Sequence, residues 1–218
     1  MQFTGFTKET GEFLWELAFH NEKPWFEAHR AQFLRSVKEP FDALARETLA
    51  LMQEKYPDEP YSLHISRIYR DARRLFGRGP YKDHLWFTLW TGEERHNSPV
   101  FWFELGPASY SYGVGFYTAT SEQMAALRRY IDANPAEMER LAKRVAKSEF
   151  QLEGEPYKRL KKDVGETLNP WYNRKWISLS AEYDHGGALY TEELPGVLIG
   201  AFERLMPAYR LLKRFPAE

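Results

Sequence analysis

Three short aromatic segments decide the reading of this chain: LWFTLW (residues 85–90), PVFWFEL (99–105) and SYSYGVGFYT (109–118). Each has the length and the Phe, Trp, Tyr, Val and Thr content of a strand, and turn residues separate them, which predicts neighbouring strands. GPAS (106–109) joins the last two as a hairpin. On the third strand Tyr110, Tyr112, Val114 and Phe116 share one side, and Ser111, Gly113 and Gly115 share the other. Side chains that small leave room for a packed helix, a close backbone or a ligand, and the structural explanations are favoured.

Away from these strands the period becomes helical. Thr7 can cap a helix carrying Phe13, Leu14, Leu17 and Ala18, with Asn21 near its end. Pro24 suits the first turn of a second helix through Trp25, Phe26, His29 and Phe33. Pro40 opens a third, with Phe41, Leu44, Ala45, Leu49 and Met52, and YPDEPY (56–61) stops it. On the other side, Thr120 and Gln123 have capping-box spacing ahead of Met124, Leu127 and Ile131. Asn134, Pro135 and Glu137 open the next helix, residues 153–170 read as a polar loop, and KWISLSAEY (175–183) reads as a further strand. A last helix starts near residue 192 and is expected to kink at Pro207. The order predicts an α+β fold in a single domain over 1–218, with N-terminal helices, a central mostly antiparallel sheet with hairpins, and C-terminal helices.

Composition narrows the function classes. Thirty Lys and Arg face thirty-one Asp and Glu, so the excess positive charge of a general nucleic-acid binder is absent. There is no cysteine, which removes disulfides, cysteine-based zinc sites and thiol nucleophiles together. The N-terminal MQFTGFTKETGEF lacks a basic segment followed by an apolar run, and the apolar stretches are strand-sized. A soluble, cytoplasmic protein with no membrane partner is the expectation. His20, His29, His64, His84, His96 and His185 form no close ligand pair, and YGVGFY lacks the helix and third glycine of a dinucleotide fingerprint. No P-loop and no G-x-S-x-G elbow is present, so neither cofactor nor metal is expected.

One segment stands out chemically. RIYRDARRLFGRGPYKDHL (67–85) gathers Arg67, Arg70, Arg73, Arg74, Arg78 and Lys82 with only Asp71 and Asp83 among them. Arg forks match phosphate or carboxylate oxygens, and Gly77, Gly79 and Pro80 allow the chain to turn around a bound anion. The same residues would equally serve as a web of ion pairs that ties a loop down, or as a solvated face. ISRIY is strand-like and RDARRLF helix-like, so the conformation changes near Asp71. A second basic stretch, YKRLKKD (157–163), reads as a solvated loop.

Several segments together resemble one family. FTGFTKETGEFLWEL, NEKPWFEAHRAQF, VKEPFDAL, RIYRDARR, PYKDHL, FWFEL, GVGFYTATSEQMAALRRYI and YKRLKK occur in an order similar to the bacterial and fungal family called domain of unknown function 2461. The resemblance runs from Phe3 to about Tyr209, and R-I-x-R-D-x-R and P-Y-K are its most specific pieces. It implies one domain, no established activity and no known cofactor, with Arg67, Arg70, Asp71, Arg73, Pro80, Tyr81 and Lys82 at the motif positions. Where members usually read something like R-F-S-K-D-K-x-P-Y-K, this chain has RRLFGRGPYK, with Phe76, Gly77, Arg78 and Gly79 replacing the serine and the acid.

The reading that follows is a protein binding a phosphate- or carboxylate-bearing small molecule. Arg67, Arg70, Arg73, Tyr81 and Lys82 are its candidate ligand contacts, and Asp71 and His84 its acid–base candidates. The alternative is a non-catalytic interaction or structural module whose Arg–Asp cluster is an ion-pair network. Neither reading assigns a reaction or an oligomeric state.

Overall fold

The structure, a computed structural model, describes residues 2–75, 77–93 and 95–216, with Arg74 described by its backbone. Phe76 and the Arg74 side chain, both named above, lie outside the described residues. The fold is α+β. Helices α1 (Lys8–Phe19), α2 (Lys23–Ala28), α3 (Arg30–Phe33) and α4 (Glu39–Lys55) precede strands β1 (Tyr61–Ile65), β2 (Leu85–Thr91), β3 (Pro99–Leu105) and β4 (Ser109–Phe116). Helices α5 (Ser121–Ala133) and α6 (Pro135–Ala146) follow, then β5 (Gln151–Glu153), α7 (Asn169–Tyr172), β6 (Ser178–Asp184) and α8 (Leu194–Leu212). Among the described residues the six strands form one antiparallel sheet in the order β1-β2-β3-β4-β6-β5.

The chain divides into two compact units. The first takes the chain up to Leu89, Trp102–Ser111 and Glu182–Gly200; the second takes Trp90–Phe101, Tyr112–Ala181 and the chain from Ala201 onward. In the first unit α4 places Phe41 against Phe87 and Phe103, with ring centres 5.8 and 6.0 Å away. Leu85, Phe87 and Leu89 therefore face the core, and strand alternation turns Trp86 and Thr88 to the opposite side. In the second unit Phe101 packs on Phe202 and Tyr209 of α8, and the Tyr209 hydroxyl oxygen accepts the Thr91 N–H. Among the described residues no helix is long and apolar enough to cross a membrane.

The N-terminal helices differ from the sequence expectation. The second and third do not separate at Pro40; α3 runs through a π-turn at Leu34–Lys38 into α4, with Pro40 in the first turn of α4. A π-turn and a residue without an N–H both disturb the helical ladder and leave carbonyl acceptors to be satisfied from outside. The Ser36 carbonyl accepts a 2.7 Å hydrogen bond from the Thr10 hydroxyl, which is 1% exposed, and Thr10 also accepts the Thr7 N–H at 3.2 Å. One hydroxyl thus closes the start of α1 and stitches α1 to the π-turn.

Further along, the Thr120–Gln123 capping box forms in both directions. Asn134 does begin α6, but its side chain turns back to donate to the Tyr130 carbonyl at the end of α5. The polar stretch 153–170 holds the end of β5 and the start of α7, and β6 begins only at Ser178. Simple alternation fails in β6, because Ser178 and Ser180 are as buried as Leu179 and Ala181. The small residues of β4 explain this. A Cβ on Gly113 would lie 2.1 Å from the Leu179 carbonyl oxygen, and one on Gly115 would lie 2.5 Å from the Ser178 Cα. Close backbone approach, not a ligand, accounts for these two glycines.

Thr10→Val keeps the shape at this position and removes both hydrogen bonds. It should lower stability by about 1–3 kcal/mol, the cost of leaving a buried carbonyl unpaired. Thermal unfolding should show a drop in Tm of several degrees, and an unchanged Tm would contradict this role for Thr10.

Candidate functional site

The basic segment is built on a two-stranded clasp in the first unit. After β1 ends, Ser66 continues the pairing with β2 by donating its N–H to the Trp86 carbonyl at 2.8 Å. Its hydroxyl oxygen accepts the Trp86 N–H at 2.9 Å, standing in for a backbone carbonyl. The chain then pairs with itself. Tyr69 bridges Tyr81 in antiparallel fashion, the Arg70 N–H donates to the Pro80 carbonyl, and the Lys82 N–H donates to the Ile68 carbonyl.

Asn21 locks this clasp. Its side-chain amide donates to the Tyr81 carbonyl and accepts the Tyr81 N–H, both at 2.9 Å. The Arg70 Nε donates to the same carbonyl at 2.7 Å. The Tyr81 ring, 2% exposed, stacks on Phe26 of α2 at 4.2 Å and lies 5.3 Å from the Tyr69 ring. Gly79 is required here by space: a Cβ would come 2.3 Å from Asn21 Oδ1 and 2.5 Å from the Asn21 carbonyl oxygen. The Gly-Arg-Gly stretch thus has a packing reason, and Gly77, at a φ of 78°, supplies the left-handed residue in the turn that Arg78 closes on Leu75.

The basic residues divide into two groups. Arg73 is 87% exposed and forms a two-pronged pair with Asp71, through Nε at 3.0 Å and Nη2 at 2.7 Å. Asp71 also accepts the Arg73 N–H, so its carboxylate caps the short turn Ala72–Arg74. These two residues match the ion-pair reading. The other group is Arg67, Arg70 and Lys82. Arg70, 16% exposed, is anchored on Tyr81 and reaches Asp83 at 3.8 Å. Lys82 places its ammonium 5.7 Å above the Trp86 ring. Among the described residues no carboxylate stands within ion-pair distance of Lys82 or Arg67.

The electrostatics follow from that arrangement. Burial lowers the Lys82 pKa below the ordinary lysine range, Arg70 and Arg67 add to the effect, and Glu104 on β3 opposes it. Asp83 accepts a 2.9 Å hydrogen bond from His84 Nδ1. Burial pushes the Asp83 carboxyl up, but the His84 hydrogen bond, a backbone hydrogen bond and the charges of His84 and Arg70 outweigh it, so its pKa is lowered. Asp83 is therefore ionised at neutral pH and holds the His84 ring through Nδ1.

Sequence reasoning missed Asn21, Ser66, Trp86 and Glu104. Alternation puts Trp86 and Glu104 on half-exposed positions, but Trp90 and Trp102 share that pattern on the same strands, so it does not single them out. Asn21 carries no local signal, because its partner lies sixty residues away. The second basic stretch lies in the second unit and is largely engaged. Lys162 pairs with Asp132 at 2.6 Å, the Lys161 ammonium sits 4.4 Å over the Tyr157 ring, and both backbone N–H groups donate to Asn173 Oδ1.

The fold makes this an α+β protein. The chain matches the family described as Conserved hypothetical protein (DUF2461) over residues 9–210 and belongs to that family. No curated protein matches it.

Gly79→Ala should strain the Asn21–Tyr81 clasp at a cost of about 1–3 kcal/mol. Chemical denaturation should show the loss, and an unchanged midpoint would mean that Asn21 can move aside without consequence.

Proposed function

We propose that the protein binds a phosphate- or carboxylate-bearing small molecule at Arg67, Arg70 and Lys82, with Trp86 as the floor of the site. One observation carries this reading: the half-buried Lys82 ammonium lies over the Trp86 ring on the side of the clasp that bears Arg70, and among the described residues no carboxylate stands within ion-pair distance of it. Crowded cations of this kind cost stability on their own, and an anion removes the cost. Tyr81 and the Asp71–Arg73 pair have the structural part of holding the clasp and its turn. His84, held by Asp83, is the acid–base candidate of the site, with Asp71 occupied by Arg73.

Thermal shift with inorganic phosphate, pyrophosphate and dicarboxylates tests the reading. A ligand at a hundred times its dissociation constant adds about 2.7 kcal/mol, which raises Tm by about 5–10 °C in a chain of this length. Arg67→Ser and Lys82→Met should each abolish most of the shift while the fold persists. If no anion raises Tm, or if the shift survives both substitutions together, the site is misassigned.

The unliganded variant should behave in the opposite sense. Because the folded state disfavours the Lys82 charge, Lys82→Met, which keeps the stem on Trp86, should raise Tm by about 1–2 °C near neutral pH. The gain should fade as pH rises from the lowered pKa of Lys82 towards the ordinary lysine value, where the unfolded chain also loses its proton. Anion affinity should weaken over the same window, since neutral Lys82 no longer attracts the ligand. A Tm that falls on substitution at neutral pH would show that Lys82 stabilises the fold.

A further inference from the structure

We propose that Lys82 is a reactive amine that condenses with the carbonyl group of a small carboxylate-bearing aldehyde or ketone, a 2-oxo acid being the simplest, whose carboxylate Arg67 and Arg70 hold. This role rests on the anion site described above and adds a covalent step to it.

The placement of the groups carries the inference. The Tyr69–Tyr81 bridge makes Arg70 and Lys82 diagonal neighbours on one side of the clasp, so a molecule gripped by the Arg70 guanidinium lies within reach of Nζ. Nζ itself lies 5.7 Å over the Trp86 ring, and among the described residues no carboxylate stands within ion-pair distance of it. An amine that is partly desolvated and set beside other cations is neutral, and so nucleophilic, more often than a surface lysine. Burial and both arginines act on Lys82 in that direction. Two guanidinium groups suffice for one carboxylate, which leaves Lys82 free for the neighbouring carbon. On the same face of β2, two residues beyond Trp86, Thr88 is 8% exposed and its hydroxyl has no hydrogen-bond partner among the described residues. An orphan hydroxyl on the face that carries the site suits an oxygen of a bound molecule.

The step balances without an oxidant or reductant. The lone pair of neutral Nζ adds to the carbonyl carbon, and the carbonyl oxygen takes up a proton to give a carbinolamine. That oxygen then leaves as water with the second amine hydrogen, and a C=N bond remains. In this proposal Glu104, the carboxylate whose charge acts on Lys82, passes the proton.

The test is reductive trapping. The full chain is incubated with pyruvate and cyanoborohydride near neutral pH, and the adduct is located by intact-mass and peptide measurements. Acetone, which has the carbonyl without the carboxylate, is run in parallel, and phosphate thermal shift is recorded on the same samples. One reduced pyruvyl group should appear on Lys82 at least about tenfold faster than on any other lysine. Acetone should show no such preference, Arg67→Ser should slow the Lys82 adduct by about tenfold, and Lys82→Arg should abolish it. Pyruvate spread over surface lysines without preference, or equal labelling by acetone, overturns the amine role, and a retained phosphate shift then leaves the anion site standing. Absence of both the adduct and the phosphate shift overturns the two together.

Discussion

The Tyr81 carbonyl is the point on which the rest of the site depends. It accepts hydrogen bonds from Asn21 and from the Arg70 Nε, while the Tyr81 N–H returns to Asn21 and the ring seals against Phe26. A single residue thereby joins Asn21 after α1, the ring platform of α2 and the basic clasp. The backbone pairing either side of Tyr81 then sets Lys82 over Trp86. Loss of any of these contacts frees the turn and, with it, the spacing of the cations.

The charged residues of the clasp differ in how far the fold satisfies them. Asp71 and Arg73 satisfy each other at the surface and ask for nothing more. Arg70 is held by the Tyr81 carbonyl and Asp83. Lys82 has burial and two like charges against it and Glu104 in its favour. A fold selected for stability alone would place an uncharged side chain on Trp86.

Much of the fold was legible in the sequence because its signals are local. The three aromatic strands, the GPAS hairpin and the Thr120–Gln123 capping box depend on residues close in the chain, and each formed. The π-turn ahead of Pro40 was not legible, because the Thr10 hydroxyl that supports it lies twenty-six residues from Ser36. The buried Ser178 and Ser180 of β6 likewise follow from glycines on another strand. At the candidate site, the motif singles out one segment, but charge alone could not sort its residues. Tyr81, a ligand candidate by its place in P-Y-K, is a core residue, and the partition of Arg73 from Arg67, Arg70 and Lys82 depends on which of them finds a carboxylate in space.

The central claim is that Lys82 is an ammonium held out of its ordinary range until an anion arrives. Its side-chain nitrogen can be followed directly by NMR titration of a lysine-labelled chain, with and without phosphate. A Lys82 pKa below that of the other lysines, rising on addition of phosphate as the anion offsets Arg67 and Arg70, is the result this account predicts. A Lys82 pKa in the ordinary lysine range, unmoved by phosphate, would contradict it.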